Sequence, residues 1–186
     1  VLRTPGLGRG ALRPGDRVLV SGSVGCHGAA VLMARGALPG TGLLCSDCRP
    51  LRELSAAALD AGGVRMLRDP TRGGVATTLN EFVEGGALGI ELEESVIPVD
   101  EPVAAACDLL GLDPLYAACE GRLLAVVAPD RAGAVLAALQ ALPGGEGAAD
   151  IGAVTADRPG TVVLRTALGG SRLLGKLTGA QLPRIC

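Results

Sequence analysis

Short runs of β-branched and aliphatic residues alternate along the chain with longer stretches whose apolar positions recur at helical spacing. After the turn pair Pro14-Gly15, Arg17 to Val20 predicts a strand, the loop Ser21 to Gly28 follows, and a helix covers 29–35. Residues 39–50 mix Pro, Gly and small polar side chains and read as a loop. A second helix over 51–61 ends at Gly62-Gly63. Val64 to Leu67 predicts a strand that runs directly into Asp69-Pro70-Thr71-Arg72-Gly73-Gly74, and a helix over 75–84 then stops at Gly85-Gly86. The second half repeats the alternation: strand 89–92, helix 101–110, strand 123–127, helix 130–142, and strands 151–154 and 161–166. Pro102 falls in the first turn of its helix, where a missing N–H costs little. The pattern predicts an α/β fold (α+β layered), a mixed sheet packed with helices. From Gly179 onward polar residues and Pro183 interrupt the chain, which reads as a tail.

Composition narrows the function classes. The 186 residues are 48% apolar and 19% charged, enough to build a core and too apolar for general disorder. Phe82 and Tyr116 are the only aromatic residues, so stacking platforms for single-stranded nucleic acid are not expected. A net charge of -2 supplies no basic field for a polyanion, and no nucleic-acid partner is expected. No run of about 18 apolar residues predicts a membrane span, and no secretory leader pattern is present. The six cysteines therefore read as reduced thiols of a cytoplasmic protein, with Cys107 on an apolar helical face. The chain begins at Val1, in a segment rich in Pro and Gly, and is expected to be a fragment or a processed chain.

Several local arrangements could carry chemistry. Asp69 to Gly74 joins a predicted strand to a predicted helix. Gly73 and Gly74 permit close backbone approach, the helix start offers unpaired N–H groups, and Arg72 adds a fork of donors suited to phosphate. The segment reads either as an anion site or as an ordinary turn capped by its Asp or Thr. Gly22-Ser23-Val24-Gly25-Cys26-His27-Gly28 is a second Gly-rich strand-to-helix loop, in which His27 could contact phosphate or serve as a structural cap. Gly170 to Leu177 nearly spells a phosphate loop, but Leu177 stands where a magnesium-binding hydroxyl is needed and no clear helix follows. Cys45 and Cys48 have Cys-x-x-Cys spacing, yet a second pair is absent and His27 is the only imidazole, so an incidental pair is the default. Glu120, at the entrance to the strand 123–127, could act as a general base in a pocket or be merely solvated. Cys186 ends the sequence and reads either as a thiol of unusual reach, its thiolate favoured by Arg184 and opposed by the adjacent terminal carboxylate, or as an incidental last residue.

The run Asp69-Pro-Thr-Arg-Gly-Gly-Val-Ala-Thr-Thr-Leu-Asn-Glu81, with Leu112-Asp-Pro-Leu-Tyr116, Glu120-Gly121 and Pro183-Arg-Ile-Cys186, resembles HypE, the maturation-factor family that makes the cyanide ligands of [NiFe]-hydrogenases. Asp-Pro-Thr-Arg-Gly-Gly alone would point only to the wider aminoimidazole-ribonucleotide-synthetase-like superfamily. The resemblance runs from about Arg13 and implies the C-terminal domain of that fold. It implies residues 1–15 as the remnant of a missing N-terminal ATP-binding domain and linker, 16–178 as the C-terminal α/β domain, and 179–186 as a tail. It further implies that a HypF-like carbamoyltransferase loads a carboxamide onto Cys186, and that ATP, with Mg²⁺, drives its dehydration to an S-cyanide. Glu120 would then be the base, and Thr71, Arg72, Gly73, Gly74 and His27 the ATP and phosphate side. A HypC–HypD-like iron scaffold would receive the cyanide, and the missing domain would make the homodimer. Two positions depart from the family, which commonly has Asp where Cys26 stands and Asn where Cys119 stands. The alternatives are another ATP-dependent enzyme of the superfamily, like selenide dikinase or thiamine-monophosphate kinase, or a non-catalytic metal or redox module using Cys45 and Cys48.

Overall fold

The computed structural model describes residues 6–36 and 44–177. Among these, seven strands form one sheet: β1 (Arg17–Val20), β2 (Val64–Arg68), β3 (Gly89–Glu93), β4 (Leu124–Val127), β5 (Ala149–Thr155), β6 (Val162–Arg165) and β7 (Ser171–Leu174). Their order is β2-β4-β1-β5-β3-β6-β7. Only β3 and β6 pair in parallel; all other neighbours are antiparallel. The helices are α1 (Cys26–Ala34), α2 (Arg52–Ala61), α3 (Gly74–Val83), α4 (Glu101–Leu110) and α5 (Ala132–Gln140), with 3₁₀ turns at Arg9–Ala11, Glu94–Val96 and Pro114–Tyr116.

The period of two along the strands sorts their side chains onto the two faces. Val18, Val20, Leu124, Val126 and Ile151 face one side and pack with Leu79, Phe82 and Val83 of α3. Leu19, Ala125 and Val127 face the other side and meet Leu54 and Ala58 of α2 and Val135 and Leu139 of α5. The unbroken apolar run 123–128 follows from this, because β4 is covered on both faces. Burying each Leu or Phe here contributes roughly 1.5–3 kcal/mol. A third cluster joins α1 to α4 through Cys26, Ala29, Val103, Ala106 and Cys107. Residues ahead of β1 also pack on the sheet: Leu12 is buried, and the Gly8 N–H donates to Arg65 O at 2.9 Å.

The elements agree with the pattern, with two differences. Helix α1 begins at Cys26, not residue 29, so His27 lies in its first turn. Gly28, which looks like a breaker, is helical; a Cβ there would lie 3.0 Å from both Ala117 Cβ and Ala118 N. The near-phosphate-loop segment instead contains β7, an edge strand paired with β6. The expected tail 179–186, and Cys186 with it, lies outside the described residues.

Strand directions bring the candidate loops together. Both β1 and β2 run antiparallel to β4, and Val20 and Arg68 are both partners of Leu124. The loops leaving β1 and β2 and the segment entering β4 therefore meet at one edge of the sheet.

Candidate functional site at the edge of the central strands

Two helices start at this edge. Helix α3 is preceded by Gly73 (φ 76) and begins with Gly74 (φ 62), and no side chain caps it. The left-handed geometry, which glycine adopts without a Cβ penalty, takes the place of a capping Asp or Thr. Helix α1 likewise starts after Gly25 with no side-chain cap. Both helix starts abut the segment 114–118. A Cβ on Gly74 would lie 2.5 Å from Leu115 O and 2.6 Å from Ala117 O, and the Gly28 N–H donates to Ala118 O at 3.0 Å. The close approach at Gly74 is thus made by the chain's own backbone, while Thr71 stays half-buried and Arg72 exposed.

Residue by residue, the strand entrance is tied to its neighbours. The Cys119 N–H donates to Pro70 O at 3.1 Å, and the Gly25 N–H donates to Cys119 Sγ at 3.2 Å. Burial pushes the Cys119 thiol up to about 12 against the pull of that N–H, so it stays neutral and is no nucleophile near neutrality. Burial also raises Cys26, whose Sγ lies 3.6 Å from Asp100 Oδ2. Half-buried Glu120 donates its N–H to Asp47 Oδ1 at 3.1 Å. Gly121 allows the crossing of two chains: a Cβ there would lie 1.7 Å from Asp47 O. Next, Arg122 donates from Nε to Ser23 O at 2.8 Å and from Nη1 to Gly144 O at 3.2 Å. Its Nε also lies 3.5 Å from Asp47 Oδ2.

His27, Thr71 to Gly74 and Glu120 therefore lie on segments joined by direct contacts. His27 Nδ1 is 2.8 Å from Ser46 Oγ, which also accepts the Cys48 N–H at 3.1 Å. Cys45 and Cys48 are exposed, free thiols, and among the described residues no group of three His, Cys, Asp or Glu is placed to hold a metal. The residues between those cysteines do more than the thiols do. Asp47 and Arg122 escape sequence reading, because their partners lie far along the chain. The last described residue also comes to this region: the Leu177 N–H donates to Thr77 Oγ1, in the first turn of α3, at 3.2 Å. Just before it, Leu174 O accepts from Asn80 Nδ2 at 2.8 Å, and Lys176 Nζ lies 2.5 Å from Glu84 Oε2.

Two glycine-led helices thus meet the entrance to β4 in a mixed sheet. The chain belongs to the AIR synthase related protein family, whose C-terminal domain matches residues 13–165. Within that class its likeness is to HypE. It is 52% identical over 176 residues to carbamoyl dehydratase HypE of Bradyrhizobium diazoefficiens, covering 94% of this chain and 51% of the relative. The crystal structure of hydrogenase maturation protein HypE in complex with ATP superposes with a TM-score of 0.91 at 45% identity, covering 100% of this chain and 57% of that one. The crystal structure of a HypE–HypF complex superposes with a TM-score of 0.84 at 38% identity, covering 89% of this chain and 54% of that one. The chain spans about half the length of the curated relatives it matches. No helix among the described residues is long and apolar enough to cross a membrane.

Proposed function

We propose that the chain is the C-terminal part of an ATP-dependent carbamoyl dehydratase of [NiFe]-hydrogenase maturation, with Cys186 as the thiol that carries the reacting group. The observation that carries this reading is the convergence of Glu120, the two glycine-led helix starts and the anchored approach to the tail. Leu177 is held at the first turn of α3, and the stretch 178–186 spans at most about 30 Å when extended. Gly74 abuts Ala117, and Glu120 follows at most about 11 Å of chain further on. The length of chain beyond Leu177 is therefore enough for the Cys186 thiol to span to Glu120.

In the proposed reaction the S-carboxamide on Cys186 becomes S-cyanide, and its amide oxygen leaves on phosphate. ATP is the substrate that supplies the phosphoryl group and so makes that oxygen a leaving group. Phosphoryl transfer to the amide oxygen releases ADP and one nitrogen proton, and Glu120 accepts the second nitrogen proton as the C–O bond breaks, phosphate leaves and the nitrile forms. The Gly74 N–H is held by Thr71 O at 3.0 Å, so in this reading the phosphate would meet the remaining N–H groups of the α3 start beside Gly73 and Gly74, with the Thr71 hydroxyl and the Arg72 side chain, and His27 stands at the start of α1. The described residues supply no carboxylate cage for Mg²⁺; in this reading the ion and the remaining ATP contacts belong to an N-terminal domain, which also makes the homodimer. A HypF-like carbamoyltransferase loads Cys186, and a HypC–HypD-like iron scaffold takes the cyanide.

Replacing the acceptor separates this enzyme from a small-molecule kinase of the same family. In the complete enzyme, this chain preceded by its N-terminal domain, Cys186→Ser is expected to abolish conversion while ATP still binds. Undiminished phosphoryl transfer to a small-molecule acceptor by that variant would overturn the reading.

A further inference from the structure

The Cys45–Arg49 segment is more tightly built into the site than its loop-like sequence suggests. Asp47 is 4% exposed, and its two carboxylate oxygens face different partners. Oδ1 accepts the Glu120 N–H at 3.1 Å. Oδ2 accepts no hydrogen bond and lies 3.5 Å from Arg122 Nε, whose hydrogen goes to Ser23 O. The Arg122 side chain is itself 12% exposed. Around the pair, side-chain volume has been removed on both sides. A Cβ on Gly121 would collide with Asp47 O at 1.7 Å, and a Cβ on Gly22 would lie 2.9 Å from Arg122 Nη1. One ion pair thus clips together the loop after β1, the Cys45–Arg49 segment and the strand entrance that bears Glu120.

We infer that Asp47 and Arg122 are a positioning pair for Glu120, fixing its backbone and so the direction of its carboxylate. A buried charge facing a single ionic partner is costly unless both are held in place, so the pair resists displacement of any of the three segments. Asp47 touches neither substrate nor phosphate in this role and acts through Glu120. The inference rests on the proposed dehydratase reading for its catalytic consequence, but the tether itself does not.

Two measurements keep these apart. In the 186-residue chain, hydrogen exchange at the Glu120 amide is expected to speed at least tenfold in Asp47→Ala, with peptides from β4 and the body of α3 unchanged. Unchanged exchange at Glu120 would overturn the tether. In the complete enzyme, Asp47→Ala is expected to lower kcat for Cys186 carboxamide dehydration at least tenfold, with the KM for ATP within twofold. Asp47→Asn, which keeps an acceptor for the Glu120 N–H, is expected to give a kcat above that of Asp47→Ala and below the parent's, and a kcat no higher than that of Asp47→Ala would overturn the positioning role. A folded Asp47→Ala with parental kcat, or with only KM raised, would overturn the positioning role. A parent enzyme that binds ATP but never dehydrates the carboxamide would instead overturn the proposed function, leaving the exchange result to decide the tether.

Discussion

Gly121→Ala tests the crossing on which the site depends. A Cβ at that position would lie 1.7 Å from Asp47 O and 2.8 Å from both Asp47 C and Arg49 Cγ. Backbone oxygen is not the movable end of a flexible side chain, so one strand of the crossing must retreat by more than about 1 Å. Asp47 cannot retreat and keep the Glu120 N–H at 3.1 Å and Arg122 Nε at 3.5 Å. Overpacking costs typically about 1–3 kcal/mol, and a lost hydrogen bond to a charged group adds about 1.5–3 kcal/mol. Together the expected destabilisation is about 2.5–6 kcal/mol. With a urea m-value of about 2 kcal/mol/M, the midpoint should fall by about 1.3–3 M at unchanged m. Gly133→Ala is the matched control: it lies in α5, and its Cβ would meet nothing within 4 Å. It should raise stability by about 0.5 kcal/mol through the unfolded chain. Urea unfolding followed by far-ultraviolet circular dichroism reads both. A Gly121→Ala midpoint equal to the parent's would refute the reasoning, since no rigid crossing tolerates that contact.

Three further outcomes follow from thiols and ion pairs. Brief alkylation of the native protein should label Cys45 and Cys48 and spare Cys26, Cys107 and Cys119, as read by peptide mass spectrometry; early labelling of Cys119 would contradict its burial. The folded Cys119 thiol is raised from 9.0 to about 12, so its stabilising contribution is complete below pH 9 and is lost as pH rises towards 12. The stability gap between the parent and Cys119→Ala should therefore narrow between pH 8 and pH 10.5, and a constant gap would contradict the assignment. The Lys176 ammonium bonded to Glu84 holds its carboxyl below the usual 4.5, so that contribution is present above pH 4.5 and disappears as pH falls through the folded value. Glu84→Gln should flatten the acid limb of the stability curve, and an unchanged limb would remove the pair from the account.

Much of the architecture was legible because it rests on local periodicity. The helix 101–110 has its bounds where the pattern puts them, and the apolar run at 123–127 marks the strand covered on both faces. The start of α1 was hidden because Gly28 reads as a breaker until Ala117 and Ala118 are seen beside it. β7 was hidden because an edge strand with Arg172 and Leu173 exposed shows no alternation over its four residues. Of the proposed site, Asp69 to Gly74 stood out as a strand-to-helix turn, while Glu120 was singled out by the resemblance to HypE. Asp47 was not: its partners Glu120 and Arg122 lie more than seventy residues away, and no local pattern reports that meeting. The two cysteines around it carried the more familiar signal and drew the reading away from it.

The central claim is that Cys186 carries a carboxamide which this site, completed by an N-terminal domain, dehydrates with ATP. Intact-mass spectrometry of the complete enzyme tests it most directly, after incubation with a HypF-like carbamoyltransferase and carbamoyl phosphate, before and after ATP. The account predicts the added mass of one carboxamide at Cys186, then the loss of one water only when ATP is present, with Glu120→Gln arrested at the carboxamide. A carboxamide that persists in the parent enzyme with ATP bound, or a modification that survives Cys186→Ser, would contradict it.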